Sequence, residues 1–475
     1  MSVAEIRKEI QFGTDGWRGV ISDNFTFKNV AYVAQAICDW IKKDFSSQRK
    51  IVAVGYDARF LSREYAETVA GILTKNGIRV YFSKELLPTP ALSYGVLQVK
   101  GVCGIMITAS HNPGKFNGIK IKTAQGGGAS KDITNKVEAY LGKAPIRSMD
   151  FAQAVKAGKI IIHDFKAAYL RKLKSYVDLK KIRAAKFKVL QDCMYGSGVD
   201  ILPQVVKGSK IRLECVRDTY NPSFGNVKPE PIAEYVPQTM AKVKKEKFDL
   251  GLILDGDADR IGAIASNGEF INAQRILGLV ILHLARNKKR KGGIVTTICG
   301  STIYQHIAQK LGLKLYETPV GFKYISDLMV SVPIIAGGEE AGGIGVQNYI
   351  PERDGNLAGL LLLEMMVYQK KNLRQLLDEM EGEFGRYYYL RADIDVAVDK
   401  RKIMKLEDTK QLLGKAIVDV KTYDGIKLVC ADESWLMFRP SGTEPLVRAY
   451  AEAKSLKRSR RLLEYGARLI KQLAA

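Results

Sequence analysis

Residues 250–260 read Leu250-Gly251-Leu252-Ile253-Leu254-Asp255-Gly256-Asp257-Ala258-Asp259-Arg260, an unbroken apolar run that ends in three carboxylates. A run of this length without a charge is a buried strand. Carboxylates at alternate positions on the loop after it can converge on one hard cation, and the carboxyl end of a strand is where α/β folds place ligands. Oxygen donors suit Mg²⁺ or Ca²⁺. An EF-hand is excluded, because it would need Gly and Glu where the chain has Arg260 and Ser266. The alternative is an acidic turn satisfied by capping, but three aspartates in five residues would repel one another without a cation.

Outward from this stretch, similar apolar runs at 51–55, 102–108, 187–192, 294–297 and 332–336 are expected to be strands. Residues 27–43 and 64–76 have helical spacing. Strands separated by helix-length segments argue for α/β layers. A polar stretch near 142–150 suggests a first boundary. The last ninety or so residues change character, with strands expected at 387–396 and 435–438 and a closing amphipathic helix at 456–473. On that helix Leu462, Leu463, Leu469, Ile470 and Leu473 share a face. No internal sequence repeat is visible.

The chain's 475 residues exceed what one core can organise, so three or four domains are expected; 46% hydrophobic and 26% charged residues exclude a disordered or collagen-like chain. The most apolar runs, 276–282 and 357–363, fall short of a bilayer span, and the start lacks a signal peptide's apolar segment. A cytoplasmic protein with no membrane partner is expected. Six scattered cysteines form no C-x-x-C pair and are expected to be buried thiols, while four histidines show no metal-ligand spacing. The net charge of +24 admits nucleic-acid or membrane-surface binding, or attraction of a phosphorylated substrate. The charge is spread over runs at 242–247, 288–291 and 454–461, each of which is read first as a solvated helix face. With no basic tail and no aromatic-interleaved patch, nucleic acid is not the expected partner.

Three further stretches carry chemistry. Thr108-Ala109-Ser110-His111-Asn112-Pro113 follows a buried strand, and Pro113 stiffens the loop, so Ser110 can be presented as a nucleophile. Adjacent His111 diverges from it and does not suit a triad base, and no G-x-S-x-G elbow is present. Taken alone, such a loop is more often a turn than an active site. Arg439-Pro440-Ser441-Gly442-Thr443-Glu444-Pro445, with Arg448 beyond, offers hydroxyls, an amide and guanidinium groups for a phosphate, or simply turn chemistry. Gly337-Gly338-Glu339-Glu340-Ala341-Gly342-Gly343 follows another strand; its carboxylates can accept sugar hydroxyls, or it is a flexible glycine-rich connection. No Walker A pattern occurs. A serine nucleophile, a hard cation, a phosphate cradle and hydroxyl acceptors together suit phosphoryl transfer on a polyhydroxy substrate.

In this order, with Phe12-Gly13-Thr14-Asp15-Gly16-Trp17-Arg18-Gly19, Asn117-Gly118-Ile119-Lys120 and Gly321-Phe322-Lys323 between and before them, the motifs resemble the α-D-phosphohexomutase superfamily over essentially the whole chain. The resemblance implies three related α/β domains with mixed sheets plus a C-terminal α+β domain around a central cleft. The bounds expected are 1–150 for the phosphoserine loop, 151–267 for the metal loop, 268–383 for the sugar loop and 384–475 for the phosphate-binding domain. It implies a phosphorylated Ser110 and Mg²⁺ held by Asp255, Asp257, Asp259 and the phosphoserine. Arg18 and Lys120 would flank the reacting phosphoryl, Lys120 as a candidate base, with His111 in the same catalytic group. Glu339, Lys323 and Arg260 would contact the sugar phosphate, and Arg439, Ser441, Gly442, Thr443 and Arg448 would clamp the idle phosphate. The implied reaction interconverts glucose 1-phosphate and glucose 6-phosphate, with possible mannose activity, through a bound glucose 1,6-bisphosphate. The bisphosphate also serves as activator, and closure by the last domain retains it. Phosphoglucosamine mutase and glucose 1,6-bisphosphate synthase are the related alternatives; a basic nucleic-acid-binding protein on a mutase scaffold is the alternative of another class. Two positions depart from the family pattern: Ala341 replaces a common serine, and Gly343 stands where some members carry histidine.

Overall fold

The computed structural model describes residues 3–13, 16–440 and 446–474. Its first three layers are variations on one four-strand arrangement. In the first, strand Cys103–Ile107 lies parallel to Ile51–Tyr56, which lies parallel to Arg79–Ser83; beyond Ile107 the chain loops and returns antiparallel as Phe116–Thr123. In the second, Leu250–Leu254, Lys188–Asp192 and Arg212–Val216 repeat the parallel trio, and Ile261–Ala265 is the antiparallel return. The third has Ile334–Gly338, Gly293–Thr297 and Leu315–Thr318, with Ile344–Val346 returning. The apolar runs expected as strands are therefore strands, and three of them end at the tip of a hairpin that carries a candidate loop. The threefold pattern has no counterpart in a sequence repeat, because buried strands ask only for apolar residues.

The first sheet has six strands, with Gly16–Val20 on one edge and Ile160–His163 on the other. That second edge strand lies past residue 150, so the polar stretch at 142–150 does not end the first layer. It is a connection that leads back to the sheet. The fourth sheet is wholly antiparallel and takes in Tyr388–Ile394, Val447–Ala453, Trp435–Pro440, Ile426–Cys430, Lys415–Lys421 and Gln411–Leu412. Helix Leu456–Ala474 packs on it through Leu462 and Ile470, with Leu463, Leu469 and Leu473 partly buried alongside. Cys215 is partly exposed, whereas the other five cysteines are buried. No helix among the described residues is long and apolar enough to cross a membrane.

One continuous apolar core joins the first three layers, from Leu92 and Phe165 through Leu252 to Ile335 and Leu361. Helix Gly355–Gln369 is apolar nearly all round and sits inside it. The fourth layer docks on the third through buried polar contacts. Glu452 Oε1 accepts from Thr302 N (2.8 Å) and Trp435 Nε1 (3.1 Å), Lys427 Nζ donates to Ile298 O (2.8 Å), and Val320 N donates to Asp424 Oδ2 (2.7 Å). Ile298 and Cys299 meet Trp435, Met437 and Tyr450 beside them. Any closure by the last domain has to break or preserve these bonds.

Asp354 caps the buried helix, accepting from Leu357 N (3.0 Å), and also accepts from Tyr169 Oη (2.8 Å) and Tyr349 Oη (2.9 Å). Burial, opposed by these bonds, raises its carboxyl from the ordinary 3.8 to about 6. The folded protein thus holds a proton here that the unfolded chain has lost, so this contribution to stability is full below pH 3.8 and disappears as pH rises through about 6. Asp354→Asn keeps an effective cap and a neutral acceptor. Its denaturation midpoint should lose that component of pH dependence, whereas Asp354→Ala should cost about 2 kcal/mol or more in chemical denaturation.

Candidate active site

The loop after Cys103–Ile107 is held from outside itself. Asp57 and Arg59 follow strand Ile51–Tyr56, and both are almost fully buried. The Arg59 guanidinium donates to four main-chain carbonyls: Ser110 O and Asn112 O at 2.6 Å, Pro113 O and Phe116 O at 2.9 Å. Its Nε pairs with Asp57 at 3.2 Å, and it lies 4.8 Å from the ring centroid of Phe224 in the second layer. Ser110 itself has φ 53°, the left-handed region that a residue with a side chain enters at a cost of about 1 kcal/mol or more. Pro113 contributes its fixed φ, but the restraint on the loop comes chiefly from an arginine 51 residues earlier than Ser110.

Ser110 Oγ donates to Asp255 Oδ2 (2.9 Å). Asp255 sits across the boundary between the first and second layers, where the fit is tight: a Cβ on Gly256 would come within 2.4 Å of Ser110 O. The hydroxyl's partner is therefore a carboxylate of the acidic loop and not His111. Burial, reinforced by the surrounding cations Arg260, Arg18, Lys228 and Lys120, holds the His111 imidazole well below its ordinary value. A neutral ring results, with Nδ1 buried and without a hydrogen-bond partner. Arg18 reaches the same loop, NH1 donating to Asn112 Oδ1 (2.8 Å).

Asp255, Asp257 and Asp259 are fully buried and present carboxylate oxygens within 4.8 Å of one another, the one such cluster among the described residues. Lys120, from strand Phe116–Thr123, donates to Asp257 Oδ2 (2.7 Å) and Asp259 Oδ2 (3.1 Å). Thr89 Oγ1 donates to Asp257 Oδ2 (2.5 Å), and Arg353 Nε lies 2.9 Å from Asp259 Oδ2. Burial pushes all three carboxyls up. For Asp259 the pull of Arg353, Lys120 and Arg260 outweighs it, and for Asp257 Lys120 and Thr89 outweigh burial and the charge of Asp259. For Asp255 burial and the two neighbouring carboxylates prevail, and its carboxyl is raised well above the ordinary range. Asp257 Oδ1 and Asp259 Oδ1 remain buried without a hydrogen-bond donor. Orphaned carboxylate oxygens beside a serine hydroxyl form a hard-donor set that fits a divalent cation such as Mg²⁺.

The glycine-rich segment is a tight buried turn, contrary to the flexible connection expected from its composition. Gly337 and Gly338 belong to the strand, Glu339 N donates to Gly343 O (2.9 Å), and Ile261 N of the second layer donates to Gly342 O (3.1 Å). Burial raises the Glu339 carboxyl against the pull of Arg353, whose NH1 donates to its Oε2 (2.7 Å). Arg260 adjoins both loops: its N donates to Asp255 Oδ1 (3.1 Å), and its backbone bridges to Gly343. Lys323 lies in the first turn of helix Phe322–Ser331, 5.0 Å from the ring centroid of Tyr324. In the fourth sheet Arg439 and Arg448 are direct cross-strand partners, and like charges so placed are stabilised by an anion. Arg439 Nε pairs with Asp424 (2.9 Å). Ser441, Gly442 and Thr443 fall outside the described residues.

Arg59, Thr89, Arg353 and Asp424 were not indicated by the sequence motifs. For Arg59 a signal existed, since Asp57 and Arg59 follow an apolar strand as the acidic loop does; for Arg353 it was the charged Glu352-Arg353-Asp354 heading an apolar helix. Arg59→Lys leaves at most three donors for four carbonyls and removes the planar fork. Steady-state kinetics should show turnover reduced about 100-fold, the scale of an ångström of misplacement at a reacting group. The circular dichroism spectrum should stay folded.

Four family models cover the chain in order: Phosphoglucomutase/phosphomannomutase alpha/beta/alpha domains I (residues 9–146), II (167–268) and III (272–384), and the C-terminal domain (394–468). A phosphoglucomutase/phosphomannomutase of Thermococcus kodakarensis is 30% identical over 463 residues, spanning 97% of this chain and 98% of its own. A phosphoglucosamine/phosphogalactosamine mutase of Sulfurisphaera tokodaii is 30% identical over 451 residues, 93% of this chain and 95% of its own. The crystal structure of a candidate phosphomannomutase from Thermus thermophilus, 32% identical, superposes with a TM-score of 0.86 over 98% of this chain and 99% of that one. With four family models matched in order along these layers, relatives 30% identical over nearly the whole length and a solved structure that superposes throughout, the chain belongs to the phosphoglucomutase/phosphomannomutase family.

Proposed function

We propose that the protein interconverts hexose 1-phosphates and 6-phosphates, glucose foremost, by a phosphoryl relay on Ser110. The observation that carries this reading is the buried Ser110 hydroxyl, 2.9 Å from Asp255 in a cluster of three carboxylates with orphaned oxygens. In the forward half, a sugar hydroxyl oxygen attacks the phosphorus on Ser110, the Oγ–P bond breaks, and a 1,6-bisphosphate forms. In the return half the other phosphoryl passes to Ser110 Oγ, so no net phosphate is consumed. Asp255, Asp257 and Asp259 would hold Mg²⁺, which when bound supplies charge neutralisation for the transferring phosphoryl.

The chain's own residues account for the remainder. Arg59 fixes the Ser110 carbonyl and so the direction of the hydroxyl, and Arg18 adds positive charge at the loop. Lys120 neutralises the acidic pair as placed, and serves as the base for the hydroxyl proton only after releasing Asp257 and Asp259. Glu339 accepts sugar hydroxyls. Arg439 and Arg448 attract the phosphate that is not reacting, and Asp424 on Arg439 Nε leaves the terminal guanidinium nitrogens for it. By name, one of the two similar relatives is a mutase of hexose phosphates and the other of aminosugar phosphates.

Two outcomes are expected. With Mg²⁺ and a trace of glucose 1,6-bisphosphate, wild-type protein should turn over glucose 1-phosphate in a coupled assay, and Ser110→Ala should abolish this while keeping the melting profile. Near-normal activity of Ser110→Ala would refute the covalent relay. Asp257→Asn should weaken the Mg²⁺ dependence and lower the rate by about tenfold or more, read from a metal titration.

A further inference from the structure

The sugar loop differs from its surroundings in having no polar side chain of its own at two positions. Ala341 offers no polar group, and Gly343 has no space for one: a Cβ there would meet Arg353 Cδ at 2.4 Å and Glu339 Oε2 at 3.2 Å. The space is filled by Arg353, which is 6% exposed and enters from the turn before helix Gly355–Gln369. Its guanidinium joins two loops, NH1 to Glu339 Oε2 (2.7 Å) and Nε to Asp259 Oδ2 (2.9 Å), and lies 5.6 Å from the ring centroid of Phe322. Arg260 is a second cation acting on Glu339, while Glu340 beside it turns to accept from Thr297 Oγ1 (3.1 Å).

The Glu339 Oε2 oxygen is therefore already paired with the Arg353 guanidinium, 2.7 Å away. A hydroxyl arriving at this carboxylate needs only an acceptor oxygen, which a paired carboxylate still offers. An ammonium group arriving at the same carboxylate would have to share it with the buried Arg353 guanidinium beside it, a repulsion that a hydroxyl does not meet. We propose that Arg353 is a specificity-determining residue that makes this site select hexose phosphates carrying only hydroxyl groups over those carrying an ammonium group. The inference rests on the reading that Glu339 faces the sugar of a phosphohexomutase substrate.

The test compares kcat/KM for glucose 1-phosphate and glucosamine 1-phosphate, using full-length protein with Mg²⁺ and a trace of the matching 1,6-bisphosphate. Wild type should favour glucose by about tenfold or more near pH 7. The ratio should narrow as pH rises and the sugar's amine loses its proton, because a neutral amine no longer meets the charges of Glu339, Glu340, Asp259, Arg260 and Arg353 as a cation. Arg353→Gln should lower both efficiencies and shrink the ratio about tenfold, whereas Arg353→Lys, which retains the charge, should keep the preference for glucose. Equal use of the two sugars by wild type at neutral pH would overturn the proposal, as would an unchanged ratio in folded Arg353→Gln. If that variant does not fold, the wild-type pH series alone decides. Turnover of neither sugar by folded wild type would refute the mutase reading itself and this inference with it.

Discussion

Three carboxylates buried within 4.8 Å of one another set the terms for everything around them. Such a cluster folds only with positive charge or protons brought to it, because desolvation and mutual repulsion act in the same direction. The acidic loop's own layer supplies little of that charge beyond Arg260. Lys120 comes from the first layer and Arg353 from the third, so the charge requirement of the second layer is met by its neighbours. The ion pair of Lys122 with Glu352, also buried, adds a direct link between the first and third layers beside these two. The same charges that hold the layers together are those a transferring phosphoryl group needs.

Each of the three layers contributes its part by the same device. A parallel strand buried on both faces ends, a short loop forms, and the chain returns antiparallel along the strand it has just left. A hairpin tip anchored on both sides by sheet hydrogen bonds is a firmer platform than a free crossover. It also makes the returning strand part of the site, which is how Lys120 and the backbone of Arg260 come to lie beside the carboxylates. The fourth layer follows a different plan, and its contribution is a pair of arginines opposite each other on neighbouring strands.

The three candidate loops were legible because each follows an apolar run, and polar residues at the end of a buried strand have few explanations other than chemistry. Asp255, Asp257 and Asp259, Ser110 and Glu339 were all singled out in this way. The partners that make these loops work were not legible. Thr89 is a single polar residue at the start of a helix, and although Arg59 and Arg353 stand among charges beside apolar elements, only the packing of layers reveals what they face. The common strand order was invisible for a related reason: it is a property of pairing, and any apolar sequence of the right length satisfies it. The glycine-rich turn misled in the opposite direction, since glycine here answers close approach of Arg353 and the second layer and not mobility.

The contacts that assemble the site span long stretches of chain: 137 residues from Lys120 to Asp257, 145 from Ser110 to Asp255 and 168 from Thr89 to Asp257. Each hairpin closes locally, whereas these bonds wait for whole layers to meet, and contacts of such separation form late. During synthesis the first layer folds as it emerges, since domains form as units from the N-terminal end. Arg59 finds Asp57 and its four carbonyls within that layer, so the serine loop can be set at once. The carboxylates that receive Lys120 do not yet exist. The nascent chain thus carries a finished serine loop beside a lysine whose burial has to wait, and only translation beyond Asp259 lets that face of the layer leave water.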